Sequence, residues 1–269
     1  MKKEMKVLKE LKITVVTPVY NGEKYIEQCI RSIMNQTYRN FEHIIMDGGS
    51  EDCTVEIARK YEKEYDLKII SRKDNGMYDA IASGFAMAEG DILCWLNADD
   101  MFMPWAFEVM QSVIAKTDAQ WCMGFPTYWN GEKVNRCQYR ISTYSQSAIK
   151  WGLHDGRVLP FIQQESCFWT KDLWLKANGK LIKEYNMAGD FQLWKAFASH
   201  ATLYKINSPI AGFRQHTGQK SEDKEKYYKE VDALNLWKKI FIKTKFLKIM
   251  DALLSLRKGK DRLLIQELF

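Results

Sequence analysis

Acidic residues recur in this sequence where apolar runs stop. Asp99-Asp100 follows an apolar run over 91–96, and Asp47-Gly48-Gly49-Ser50 ends another over 41–46. Carboxylate oxygens suit hard divalent cations, and Mg²⁺ commonly takes one or two carboxylates together with substrate phosphates. A diphosphate clamped in that way becomes a better leaving group. The glycines after Asp47 let a ligand approach the backbone closely, and the carboxylate can accept from a base N–H or a ribose hydroxyl. Asp190 stands ahead of an amphipathic run containing Phe191, Trp194 and Phe197. It can be a helix N-cap or an acid held at a pocket wall, where burial would raise its pKa. Structural readings compete elsewhere too: Asp99-Asp100 as caps before the helix after Pro104, and 47–50 as an ordinary turn. Arg214 and Lys220 can pair with phosphate oxygens. No G-x-G-x-x-G or G-x-x-x-x-G-K-[ST] follows a strand, so phosphate binding is expected through a metal rather than a glycine-rich nest.

Placing these residues in one site requires elements of alternating type. Residues 13–17 (ITVVT) form a β-branched run ended by Pro18 and read as a buried strand. Tyr25, Ile26, Cys29, Ile30, Ile33 and Met34 follow at helical spacing. A second strand is expected over 41–46, a helix after Asp52 with Val55, Ala58, Tyr61 and Tyr65 on its apolar face, a third strand over 67–70, a helix over 77–88 and a fourth strand over 91–96. This order predicts an α/β fold with a doubly wound, mainly parallel sheet flanked by helices. Ligands bind such sheets beyond the carboxyl ends of the strands. Those ends carry Thr17-Pro18, Asp47 and Asn97-Ala98-Asp99-Asp100, which are therefore expected to share one crevice. The middle is less regular: a hairpin turn at 128–131, a strand over 161–169, helices over 171–176 and 189–199, and short strands over 202–206 and 210–214. From 222 onward the pattern is lysine-rich and helical.

Composition narrows the class. Of 269 residues, 46% are hydrophobic and 28% charged, which excludes a disordered or coiled-coil chain. No apolar run approaches the ~18 residues of a membrane span, and the charged start MKKEMKVLKELK leaves no signal-peptide core. A cytoplasmic location is expected. The six cysteines show no C-x-x-C pair, so buried reduced thiols are expected rather than a zinc site or disulfides. The net charge of +6 is unevenly placed: residues 233–262 hold nine Lys/Arg against two Asp, an excess greater than that of the whole chain. The remainder is near neutral, against a nucleic-acid partner. The basic stretch interleaves Trp237, Ile240, Phe241, Phe246, Leu247 and Met250 with lysines. It reads either as an amphipathic helix on an anionic membrane surface, making the protein peripheral at the inner face of the cell membrane, or as a helix packed on the main domain.

The motifs Thr17-Pro18-Val19-Tyr20-Asn21, Asp47-Gly48-Gly49-Ser50, Asp74-Asn75-Gly76-Met77-Tyr78-Asp79-Ala80 and Trp95-Leu96-Asn97-Ala98-Asp99-Asp100 come in a telling order. With Gln163-Gln164-Glu165-Ser166, Met187-Ala188-Gly189-Asp190-Phe191-Gln192-Leu193-Trp194 and Phe213-Arg214-Gln215-His216, they resemble glycosyltransferase family 2 over roughly 12–220. The subgroup that builds bacterial surface polysaccharides is the nearest likeness. The resemblance implies a GT-A fold with a nucleotide-binding half over 12–103, an acceptor half over 104–220 and a basic amphipathic helical extension over 221–269. It implies inverting transfer from a nucleotide sugar, UDP-linked, to a glycan or lipid-linked acceptor, with Mn²⁺ or Mg²⁺ as cofactor.

By the same resemblance, Thr17, Pro18, Val19 and Asp47 hold the nucleotide base and ribose. Asp99 is the metal-binding acid of a D-x-D-type motif whose first position is Asn97, and Asp100 supports it or touches the ribose. Asp190 is the general base, Gln164 and Glu165 line the acceptor site, and Arg214 belongs with the donor. His216 is a metal ligand or diphosphate contact by resemblance, or a surface imidazole by composition. Ala82 stands where many members carry Asn, and Asp79 is the substitute polar contact on that helix. A sugar-nucleotide nucleotidyltransferase and a non-catalytic membrane-associated binding protein are the alternative functions. The first usually needs a glycine-rich basic loop after the first strand, and Pro18-Val19-Tyr20-Asn21 is not one.

Overall fold

The computed structural model describes residues 10–125, 127–130, 133–137 and 144–235, with backbone alone at 130 and 133–137. The first half alternates as its hydrophobic pattern requires: β1 (Ile13–Val19), α1 (Ile26–Met34), β2 (Phe41–Asp47), α2 (Thr54–Arg59), β3 (Leu67–Ser71), α3 (Met77–Ala86) and β4 (Ile92–Trp95). There follow β5 (Met101–Phe102), α4 (Ala106–Lys116), β6 (Trp121–Phe125), β7 (Thr127–Asn130), β8 (Lys133–Cys137), α5 (Gln146–Lys150), β9 (Cys167–Thr170), α6 (Lys171–Lys176), α7 (Gly189–Phe197), β10 (Leu203–Pro209), β11 (Ala211–Arg214) and α8 (Lys224–Leu234). Short 3-10 turns occupy Gln164–Ser166, Gly179–Glu184 and Lys220–Glu222.

Among the described residues, a sheet of seven strands runs in the order β10-β6-β9-β4-β1-β2-β3. All its pairings are parallel except those of β9, which lies antiparallel to β4 and β6. The fold is thus the mixed α/β, mainly parallel architecture expected, with helices on both faces.

β1 continues through Pro18 instead of ending before it. Val19 O accepts the Gly48 N–H at 2.9 Å, so odd-numbered residues face β2; Val16 O accepts the Leu96 N–H at 3.0 Å, so even-numbered ones face β4. Pairing with β4 stops at Val16↔Trp95. Pro18 therefore lacks an N–H where no strand remains to receive it, and the ladder to β2 runs on intact.

Three expectations are corrected. The strand expected over 161–169 is reduced to β9, because pairing with β4 and β6 extends no further back than Cys167. The Gln164 side chain instead donates to Trp95 O at 2.7 Å. The hairpin does join two strands, but its pairing reaches Asn130↔Lys133, beyond the expected 128–131 turn. Cys53 is exposed, whereas Cys29, Cys94, Cys122 and Cys167 are buried free thiols. A second sheet of four strands has the order β5-β11-β7-β8.

Tryptophans fix α7 to the main sheet. Trp194 lies parallel to Trp95 of β4, with centroids 6.1 Å apart, and 5.4 Å from Trp121 of β6. Phe197 packs on Trp169 of β9 at 5.5 Å. Each such pair adds about 0.5–1.5 kcal/mol beyond burial. α8 then clasps the entry of α7: the Glu230 carboxylate accepts the amides of Asn186, Met187 and Ala188 at 2.9–3.0 Å. Val231 and Tyr227 pack on Ala188 and Phe191. The remainder of the basic extension, 236–269, lies outside the described residues, and the membrane-surface reading with it. No helix among the described residues is long and apolar enough to cross a membrane.

Candidate functional site

The carboxyl ends of β1, β2 and β4 bring their motifs to one edge of the sheet. Asp47, at the end of β2, is 2% exposed. Its two oxygens accept the amides of Gly49 and Ser50 at 3.1 Å and the hydroxyls of Ser50 and Ser71 at 2.5 and 2.6 Å. The carboxylate thus shapes the 48–50 turn and ties it to β3. Beside it opens a cavity of about 360 Å³ lined by Asp47, Arg72, Lys73, Asp74, Asn75 and Asp79. Asp79 stands in the first turn of α3 and accepts the Asn75 amide at 3.1 Å; Gly76, at φ +106°, makes the bend between them. Thr17 is fully buried, its hydroxyl 2.8 Å from His43 Nε2, and Val19 packs among α1 and α2. The side chains of Thr17 and Val19 are thus buried in the core, and neither lines the cavity beside Asp47.

A second group of acids lies past the end of β4. Asp99 is partly exposed and its Oδ2 lies 3.0 Å from His216 Nε2. The other ring nitrogen of His216 is 2.9 Å from the Thr217 carbonyl, which can only accept. Nδ1 therefore carries a proton, and Nε2 is the atom presented to Asp99. Asp100 is 1% exposed and accepts the Arg214 N–H at 2.8 Å. Arg214 is itself buried, its Nε donating to Asp99 O and its terminal nitrogen to Gln28, with the guanidinium stacked 4.9 Å from the Tyr25 ring. Arg214 thus locks β11, α1 and the 99–100 segment together.

Burial, with the charges of Asp99 and Glu165 nearby, pushes the Asp100 carboxyl well above the usual range. Glu165 is 3% exposed. Burial first, then Asp190 and Asp99, push its carboxyl up to about 8. Its Oε1 and the Oδ1 of Asn97 are buried and have no hydrogen-bond partner among the described residues. Unpaired buried acceptors of this kind suit a ligand that brings hydroxyl donors or positive charge.

Asp190 occupies the first turn of α7, half-buried. Burial raises its carboxyl; the Phe191 amide, the Tyr78 hydroxyl and the Lys220 ammonium act in the opposite sense. The Tyr78 hydroxyl lies 3.1 Å from Asp190 Oδ1. Asp99, Asp100 and Asp190 therefore all fall within electrostatic reach of Glu165, the four acids coming from three different stretches of chain. Gln164 is turned to the end of β4 by its bond to Trp95.

Among the described residues no group of three or more His, Cys, Asp and Glu is arranged to hold a metal ion. The pair Asp99–His216 nevertheless fits one. Two ligands each ~2.1 Å from an ion and at right angles sit ~3 Å apart, and these atoms are 3.0 Å apart. The remaining positions would fall to a substrate and water.

Sequence reasoning missed Tyr25, Gln28 and Tyr78. Tyr25 and Gln28 sit in an ordinary amphipathic helix run, and nothing in its periodicity marks them. Tyr78 lies within a quoted motif, but its spacing reads equally as helix core.

A family model described as glycosyl transferase family 2 matches residues 14–165, more than half of the chain. A glycosyltransferase of Haemophilus influenzae, itself uncharacterized, is 28% identical over 225 residues, covering 78% of this chain and 67% of that protein. One from Rickettsia typhi is 23% identical over 225 residues, covering 82% and 70%. Among solved structures, S. aureus TarS 1-349 in complex with UDP-GlcNAc superposes with a TM-score of 0.66 at 17% identity, covering 83% of this chain and 65% of that one. The chain thus spans about two thirds of the length of these proteins. The likeness in fold, the strand-end acids and the family match agree, and the chain belongs to glycosyl transferase family 2.

Proposed function

We propose that the chain moves a sugar from a nucleotide sugar, a UDP-sugar, to a hydroxyl of a glycan or lipid-linked oligosaccharide in bacterial polysaccharide synthesis, with inversion at the anomeric carbon. The observation that carries this reading is that Glu165 is reached both by Asp190, at the start of α7, and by Asp99 and Asp100 past the end of β4. The cavity beside Asp47 and Arg72 offers the nucleoside a place at the neighbouring strand ends. The choice of UDP leans on the TarS complex.

Asp190 takes the acceptor hydroxyl proton as that oxygen attacks the anomeric carbon. The bond from that carbon to the diphosphate oxygen breaks, and its electron pair leaves with UDP. Mn²⁺ or Mg²⁺ held by Asp99 and His216 would neutralise diphosphate charge. Glu165, neutral below pH 8, can donate a hydrogen bond to a sugar hydroxyl as well as accept one.

Asp190→Asn tests the reading. Transfer from the UDP-sugar that the wild-type chain uses is expected to fall by about a hundredfold or more, with UDP affinity retained in calorimetry. Near-normal transfer would remove Asp190 as the base.

A further inference from the structure

We propose that Tyr78 is a positioning residue for transfer: one hydroxyl fixes both the backbone and the carboxylate of Asp190, so the helix behind the donor-side turn sets the aim of the group that receives the acceptor proton. This rests on the assignment of Asp190 as base.

The geometry is specific. Tyr78 lies in the first turn of α3, two residues after Gly76 and beside Asp79 of the cavity wall. It is 4% exposed. Its hydroxyl lies 3.3 Å from Asp190 N, 3.1 Å from Asp190 Oδ1 and 3.2 Å from Met187 O. A phenol has one proton and accepts through its oxygen. The Asp190 N–H donates to it, and the single proton can go to Oδ1 or to Met187 O. Hydrogen bonds to charged acceptors are the stronger ones, so the ionised carboxylate holds the proton. When Asp190 has taken a proton from the acceptor, the phenol can turn to Met187 O with no displacement of the side chain. The base is thus held in one rotamer before the reaction, and the hydroxyl is left with a partner after it.

The ring is held as closely as the hydroxyl. A Cβ at position 189 would lie 2.9 Å from three atoms of the Tyr78 ring, so the phenyl face rests on the peptide that leads into Asp190. Gly189 is what permits that approach. Lys220 closes the assembly, its Nζ 5.5 Å from the ring centroid. Asp190 is therefore faced by Tyr78 from α3, Glu165 and Cys167 from the segment entering β9, Lys220 from the turn before α8, and Tyr227 from α8, with Glu230 behind Lys220. Of these, Tyr78 is the one that bonds the carboxylate through its side chain and the amide of the same residue.

The test is Tyr78→Phe in the full chain, which keeps the ring and removes the hydroxyl. Turnover is read as UDP release from the member of a UDP-hexose and UDP-N-acetylhexosamine panel that the wild type uses fastest. The expected result is a fall in kcat of about ten- to a hundredfold, donor KM within about twofold of wild type, and an acid limb of kcat moved to higher pH. A substrate-free arm follows the Asp190 carboxyl by carbon-13 NMR, assigned with Asp190→Asn, and its titration is expected to move to higher pH. Gly189→Ala, which displaces the ring and keeps the hydroxyl, is expected to show the same loss in kcat. A folded Tyr78→Phe protein with unchanged kcat, a loss confined to donor KM, or an unmoved limb and titration would overturn the inference. If Asp190→Asn retains transfer, the base assignment itself has failed; if Asp190→Asn is inactive and Tyr78→Phe is normal, only the role of Tyr78 has.

Discussion

Glu165→Gln should stabilise the protein, and by an amount that depends on pH. In the folded chain the carboxyl titrates at about 8, against a usual value of 4.5. At pH 7 the group is ionised in the unfolded chain and protonated in the folded one, so folding must take up a proton. A raised carboxyl contributes its full stability below 4.5 and loses it as pH rises through 8. At 1.36 kcal/mol per pH unit the loss is about 3 kcal/mol at pH 7, nearing about 5 kcal/mol above pH 8, and under about 1 kcal/mol at pH 5. Glutamine matches the neutral acid in shape and removes the titration. The gain at pH 7 corresponds to a rise in Tm of roughly 6–12 °C for a chain of this size. The assay is the thermal midpoint of wild type and variant across pH 5–9, in EDTA so that no divalent cation offsets the crowding of acids. A variant less stable than wild type throughout, or a difference that is the same at pH 5 and pH 8, would refute the reasoning that burial among acids keeps Glu165 protonated.

His43 provides the opposing effect. It is fully buried between Thr17 and Tyr65, and burial lowers its imidazole from 6.5 to about 3. A lowered imidazole contributes stability above pH 6.5 that is lost as pH falls toward 3, about 2 kcal/mol by pH 5. In the wild type this is masked by Glu165; in Glu165→Gln, chemical denaturation at pH 7 and pH 5 should expose it, and equal stabilities would count against it. At the proposed metal pair Asp99–His216, Asp99→Ala should weaken Mn²⁺-dependent UDP binding by about tenfold or more while leaving binding in EDTA unaltered. Calorimetry showing no change with Mn²⁺ would remove Asp99 as a ligand.

What was legible in the sequence followed from range. The alternation over 13–96 reads locally, since each strand is a short β-branched run and each helix has an apolar face. It was enough to fix β1 to β4 and to bring Asp47 and Asp99 to the same edge. The second sheet was not legible. β5 has two residues, and β11 pairs with partners more than eighty residues away, so its existence depends on contacts that no local pattern encodes. The sharing of labour among the polar residues was equally hidden. Asp47 and Arg214 have the chemistry of ligand contacts, yet their side chains are engaged in holding the 48–50 turn and the 99–100 segment. That outcome depends on Ser71, Gln28 and Tyr25, whose positions only folding supplies.

The clasp of Glu230 on residues 186–188 carries a lesson about boundaries. The match to the family model stops at residue 165, but the turn that delivers Asp190 takes the partner for its amides from Glu230, some sixty-five residues beyond that point. A fragment trimmed to the family-model match would lack Asp190 altogether, and one cut just before Lys224 would keep it while leaving three amides at its threshold unsupported. α8 is thus a structural component of the proposed transfer site.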